Sequence, residues 1–228
     1  MSTSKYSNVL TIILIVLVIT VLIGIGILVW NKVIKPRIDK GQKIEAIAEF
    51  DKDTEENEKK QQEEEIEFEV KGPDSTGEDG IEDQTGTKVR KKTYYKGYVM
   101  LGYITIPKTK VKEPILDTVT PETLNIAVAT LYPSNPQLNE PGNVVIIGHN
   151  YRNGTFFSNN KKLVVGDKLQ IKDNSGRELT YTIYEKFETS ENDTSFYNRD
   201  TNGAVEVTLS TCTDDVKARI IILARVEE

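Results

Sequence analysis

One cysteine and one histidine occur in the whole chain of 228 residues. A lone cysteine excludes an intramolecular disulfide framework and any multi-cysteine zinc or iron–sulfur site. With a single histidine as well, no set of four Cys/His ligands exists for a structural zinc. Nothing marks a catalytic metal either, so no metal and no cofactor is expected. Aromatic residues are sparse at 7%, and acids outnumber bases only 35 to 29. That near-balance hides a strong asymmetry. Residues 45–83 carry 17 acids against 4 bases, and the rest of the chain 18 acids against 25 bases. Such a distribution excludes one evenly mixed globule and divides the chain into zones.

The first zone has a short tail, residues 1–8, and then a run from Val9 to Trp30 without a charge. As a helix it spans roughly 33 Å, about a bilayer core. A buried core helix of this length would show a polar face. A cleavable signal would be shorter and end at a small-residue site, whereas Leu28-Val29-Trp30-Asn31-Lys32 offers none. A retained membrane anchor over 9–30 is expected. Lys32, Lys35, Arg37, Lys40 and Lys43 follow it, against Lys5 before it. By flanking charge alone the carboxy-terminal side would be cytoplasmic.

Residues 31–92 form the second zone. Ile34–Ile47 can continue as helix, but the Glu-, Lys- and Gln-rich stretch beyond has few large apolar residues. It reads as a charged, largely disordered linker. From 93 to 228 the pattern changes to short β-rich runs at 98–106, 111–116, 143–147, 168–171, 178–187, 204–211 and 219–226. Turn formers such as Asp173-Asn174-Ser175-Gly176 and Asn202-Gly203 separate them. Pro121–Thr130 reads as the one helix, with Thr120 as N-cap and Pro121 first. Seven or eight strands in this length indicate an all-β barrel or sandwich.

Chemistry concentrates at strand ends. Cys212 closes the run Val205–Cys212 just before Thr213-Asp214-Asp215, and His149 follows Val144–Gly148 in the same manner. Arg219 opens the last strand, seven residues after Cys212, a span that suits a tight connection between antiparallel neighbours. Attack by sulfur needs the thiolate, which a nearby imidazole or guanidinium favours. A histidine can then protonate a departing amine, and an arginine can hold an oxyanion. Each residue taken alone has a plainer reading: a buried small hydrophobe, a loop histidine, an edge arginine. Three strand-end placements in one small domain favour a site.

Residues 94–228 resemble the sortases, membrane-anchored transpeptidases of Gram-positive bacteria. The resemblance rests on Gly102–Pro107, Lys112–Ile115, Thr123–Asn125, Pro141–Asn143, Ile147–His149, Gly166-Asp167, Thr208–Cys212 and Arg219–Ala224. The order His, Cys, Arg is the family's. It is opposite to that of NlpC/P60-type peptidases, and the Ser-His-Gly-Cys string of L,D-transpeptidases is absent. The resemblance implies a closed eight-stranded β-barrel with one or two short helices. It also implies a ping-pong reaction on an LPXTG-like sorting signal. Cys212 would form a thioacyl enzyme, His149 would move protons, Arg219 would hold substrate backbone and oxyanion, and Thr211 would touch substrate. The implied acceptor is a peptidoglycan-precursor or other primary amine, with no nucleic-acid partner. The family places the catalytic domain outside the membrane and the amino terminus inside, against the flanking-charge count. Residues 31–93 contain no Asp-Pro for the built-in lid of the pilin-polymerising class. The residues between Phe187 and Gly203 are too few for another class's long inserted helix, so the lean is to a general or class D-like enzyme. Two rival functions stay open here: a membrane-tethered cysteine endopeptidase, and a retired barrel that only binds.

Overall fold

The computed structural model describes residues 3–71 and 92–227. The chain forms two compact units, Met1–Glu45 and Ala46–Glu228. Helix α1 (Thr3–Val29) continues through a π-helical turn, Trp30–Ile34, into helix α2 (Lys35–Lys71), which begins in the first unit and ends in the second. Val9 to Trp30 expose their side chains almost throughout, and none of the most apolar window of this helix is buried. By length and composition it can cross a membrane.

Among the described residues the second unit is built on nine strands: β1 (Thr93–Tyr95), β2 (Tyr98–Ile106), β3 (Val111–Leu116), β4 (Val128–Tyr132), β5 (Gly142–Ile147), β6 (Lys168–Asp173), β7 (Glu178–Thr189), β8 (Val205–Cys212) and β9 (Arg219–Val226). Eight of them close on themselves in the order β2-β3-β4-β5-β8-β9-β7-β6, and β6 pairs back to β2. Strand β1 is a short addition on β2. The expected eight-stranded barrel is therefore present. Its interior is filled by alternate residues, among them Ile104, Ile146, Leu169, Ile171, Leu209 and Ile222, all 0–1% exposed. Close packing of this kind leaves few voids and fixes the strand ends that carry function.

Two sequence expectations need correction. The helix expected over Pro121–Thr130 is only one turn, α3 (Pro121–Leu124), and the rest is the unforeseen strand β4. The start is as expected: Thr120 accepts from the Thr123 N–H in a reciprocal capping box. The chain then leaves the helix because Val128–Ala129 pair with β3 in parallel and Ala129–Tyr132 with β5 antiparallel. Two ladders outweigh a weak local helical preference.

The second correction concerns the linker expected over 31–92. It is helical through Lys71, and residues 46–54 are packed against the barrel. Ala46, Ile47, Phe50, Asp53 and Thr54 fall on one helical face, and all are buried. They cover Tyr95, Met100, Tyr103, Leu116, Ala127 and Ala129. The Phe50 and Tyr103 rings meet edge-to-face with centroids 6.0 Å apart. Asp51 accepts from the Tyr103 hydroxyl at 3.1 Å and pairs with Lys172 at 2.8 Å, while Asp53 accepts from Thr93 at 2.8 Å. The acids that suggested a solvated spacer are partly the polar edge of a docked helix. The remainder of that expectation, residues 72–91, lies outside the described residues.

Phe50 is 1% exposed, so Phe50→Ala should destabilise the second unit by about 3–5 kcal/mol. Glu49→Ala, on the exposed side of the same turn, should stay within about 0.5 kcal/mol. Urea unfolding of the full chain in detergent, followed by tyrosine fluorescence, checks both. Equal midpoints for the two variants would mean the helix does not contribute to the barrel's stability.

Candidate active site

Strands β5 and β8 run parallel with Ile147 opposite Ser210. The Gly148 N–H donates to the Ser210 carbonyl at 3.2 Å, extending the ladder past the end of β5. Two residues further along each chain stand His149 and Cys212. Side chains alternate along a strand, so both belong to the face of Ile147 and Ser210. On the other side of β8, Cys212 lies directly opposite Arg219 of β9. The connection is closed by Thr213 N–H donating to the Ala218 carbonyl at 3.0 Å, and Asp215 accepts from the Thr213 hydroxyl within it. Arg219 Nη1 donates to Cys212 Sγ at 2.9 Å. The three strand-end residues expected from the sequence therefore line one cleft.

The cleft measures about 220 Å³. Leu131 and Ile147 line it from β4 and β5, and Phe196 and Tyr197 from the β7–β8 connection, where Glu191 and Asp193 also face it. Asn143 holds that connection in place. Its Nδ2 donates to the Phe196 and Tyr197 carbonyls at 3.0 and 2.9 Å, and its Oδ1 accepts from the Thr208 hydroxyl at 2.8 Å. A partly buried ion pair, Arg199–Glu206 at 2.7 Å, bridged by the Tyr184 hydroxyl, fixes its far end. A larger cavity of about 530 Å³ lies at the β6–β7 turn and includes Asp117, Glu140, Asp173 and Arg177. It holds neither thiol nor imidazole, so volume alone does not identify the site.

Electrostatics differ around the three residues. His149 is half-buried, and burial, which penalises the charged form, lowers its pKa below the ordinary histidine value. The ring is thus neutral at pH 7. Glu191 lies 3.9 Å from Arg219 Nη2, a loose and exposed ion pair at the cleft's rim. Asp193 is already engaged by the Thr189 hydroxyl and the Ser195 N–H, and these hydrogen bonds hold its carboxyl below the usual range. Among the described residues no group of three or more His, Cys, Asp or Glu is placed to hold a metal ion.

Thr211, next to the nucleophile, also lines the cleft. Adjacent to Cys212, it belongs to the opposite face of β8, paired with the core residue Ile220. It is 3% exposed, and its hydroxyl donates to the Gly148 carbonyl at 2.7 Å. That bond ties β8 to the segment carrying His149. A second tie escaped the sequence reading. Asn150 Nδ2 donates to the Cys212 carbonyl at 3.0 Å and to Asp214 at 2.9 Å, and Lys161 pairs with the same Asp214. The signal available was only an amide next to the histidine and an acid two residues after the cysteine. Nothing local links positions so far apart in sequence.

Residues 104–227, more than half of the chain, match the family model described as Sortase domain. Among solved structures, a Clostridium perfringens sortase D5 transpeptidase is 25% identical with a TM-score of 0.57, covering 82% of this chain and 99% of that one. Sortase C-1 from Actinomyces oris is 26% identical with a TM-score of 0.51, over 56% of this chain and 73% of that one. A lid mutant of Corynebacterium diphtheriae sortase A, 24% identical with a TM-score of 0.51, shares the fold over 57% and 70% of the two chains. No curated protein matches the chain. With its closed barrel, and with Cys212 set between His149 and Arg219, the chain belongs to the sortase family.

Proposed function

We propose that this sortase is a membrane-anchored cysteine transpeptidase acting on an LPXTG-like sorting signal. The observation that carries it is the 2.9 Å contact from Arg219 to the Cys212 sulfur, in a register that sets His149 at the adjoining strand end. Neutral His149 takes the thiol proton. The sulfur then attacks the carbonyl of the scissile Thr–Gly bond, and the oxyanion forms beside the sulfur, within reach of the Arg219 fork. Collapse breaks the C–N bond as His149 returns the proton to the leaving amine. A thioacyl enzyme remains. An incoming primary amine then attacks it, gives its proton to His149, and regenerates the thiol. Thr211 and Asn150 hold the Gly148–His149 segment against β8. The overlap with the C. perfringens sortase D5 structure, over 82% of this chain and 99% of that one, supports a class D-like assignment. We place the barrel outside the cytoplasm, with α1 in the membrane and the amino terminus inside, since long domains cross largely regardless of flanking charge.

The full chain, incubated with sorting-signal peptides and a peptidoglycan-type amine, should yield an amide product with the amine joined to the threonine. Without amine it should yield slow hydrolysis. Product mass spectrometry distinguishes the outcomes, and hydrolysis unaffected by any amine would make the protein an endopeptidase. In intact protoplasts, added protease should remove the barrel. Protection until lysis would reverse the topology and exclude a wall-anchoring role.

A further inference from the structure

A proton-carrying side chain beside a nucleophile is commonly held in one orientation by a third group. Among the described residues no hydrogen bond holds the His149 imidazole. Its close neighbour is the Tyr151 ring, with centroids 4.9 Å apart and planes 38° from parallel. Tyr151 is itself fixed from several directions. Its hydroxyl donates to Asn125 Oδ1 at 2.6 Å, its N–H donates to the Ser158 hydroxyl at 3.0 Å, and its ring meets that of Phe156 at 5.9 Å. Asn125 is the C-cap of α3, its N–H bonded to the Pro121 and Thr123 carbonyls, so the tether ends on ordered backbone. Between the two rings, Asn150 pins the chain to the Cys212 carbonyl.

We propose that Tyr151 is the positioning residue for His149: an aromatic ring, anchored through Asn125, takes the place of the hydrogen-bonded third group. The proposal rests on His149 being the proton carrier. A stacked ring restricts the tilt of the imidazole while leaving both nitrogens free to exchange protons with sulfur and amine. An acceptor bonded to one nitrogen would instead fix a tautomer. Offset aromatic pairs at this separation are attractive beyond the area they bury. The ring also shields one face of the imidazole from water, contributing to the burial that lowers its pKa. The other ionisable groups lining the cleft with His149 are Cys212, Arg219, Glu191, Asp193 and Tyr197. Arg152 and Asp214 meet beside it, where the Arg152 guanidinium donates to the Asp214 carbonyl at 3.0 Å. A change at Tyr151 alters the charge of none of these.

Because the chain has one histidine, a ¹³C-histidine-labelled full chain in detergent micelles gives one imidazole signal to follow. In the parent, stacking should displace the ring-proton resonance, and the titration midpoint should lie below the ordinary value of about 6.5. Tyr151→Phe keeps the ring. It should retain the displaced resonance and turn over within about threefold of the parent. Tyr151→Ala should move the resonance toward that of an unstacked imidazole and raise the midpoint toward about 6.5. Its kcat should fall about 10- to 50-fold with KM nearly unchanged, a part of what acid–base catalysis supplies. Asn125→Ala cuts the same hydroxyl tether that Tyr151→Phe removes and also keeps the ring, so it should behave like Tyr151→Phe. The proposal is overturned if Tyr151→Ala turns over like the parent, or if Phe and Ala variants lose activity equally while the resonance stays in place. His149→Ala with full turnover would instead overturn the reading of His149, whatever Tyr151 does.

Discussion

Cys212→Ala should abolish acyl-enzyme formation and lower turnover by at least about 10⁴-fold, the scale seen when an enzyme's nucleophile is removed. No second thiol exists in the chain to take over attack. Cys212 ends β8 and is only half-buried, so replacing sulfur by hydrogen leaves the β8–β9 pairing and its closing bonds intact. The variant should therefore fold and still bind substrate in the cleft lined by Phe196 and Tyr197. Intact-protein mass spectrometry after mixing with a sorting-signal peptide should show the acyl adduct on the parent alone. An adduct on the alanine variant, or equal turnover, would mean that another group performs the attack and that the Arg219–Cys212 contact is structural.

The strand ends that carry this chemistry were legible because two local signals coincide at each: an alternating apolar run, then turn formers. The runs ending at His149 and Cys212 and the run opening at Arg219 coincide with β5, β8 and β9 to within two residues. The seven-residue spacing even anticipated the antiparallel pairing of Cys212 with Arg219. What brings His149 to the same place was not legible, because the β5–β8 ladder is parallel and non-local. Its register depends on the whole closed barrel, not on any short stretch. The Asn150–Asp214 tie hidden in that register was equally out of reach.

Two errors had distinct causes. At 121–130 good capping chemistry was extended into residues whose fate was set by neighbouring strands, where Val128 and Ala129 are fully buried. At 46–54 average composition masked a short apolar stripe. Three apolar side chains within five residues suffice to dock a helix when the barrel offers a matching surface, however acidic the flanks.

Arg219→Ala should lower turnover by at least about 10²-fold, while Arg225→Ala stays within a few-fold of the parent. Both arginines lie on β9 six residues apart, an even spacing that gives them the same face, roughly 20 Å apart along the strand. Only Arg219 is paired with Cys212, and its guanidinium reaches the sulfur. Arg225 is paired with Glu206 at the opposite end of β8, and its guanidinium lies over the Tyr184 ring, 5.2 Å from the centroid. It takes part in the packing that anchors the β7–β8 connection and has no route to the reacting atoms. Arg219→Lys should recover little, because a single ammonium cannot keep one donor on the sulfur and present a second to the oxyanion in a fixed fork. Glu191→Gln should change turnover only modestly, since its ion pair with Arg219 is long and the carboxylate is exposed. Single-turnover acylation, measured for each variant with one sorting-signal peptide, separates these effects from amine transfer. Comparable losses at Arg219 and Arg225, or full rescue by lysine, would show that the guanidinium acts only as a diffuse positive charge and that oxyanion stabilisation comes from backbone N–H groups alone.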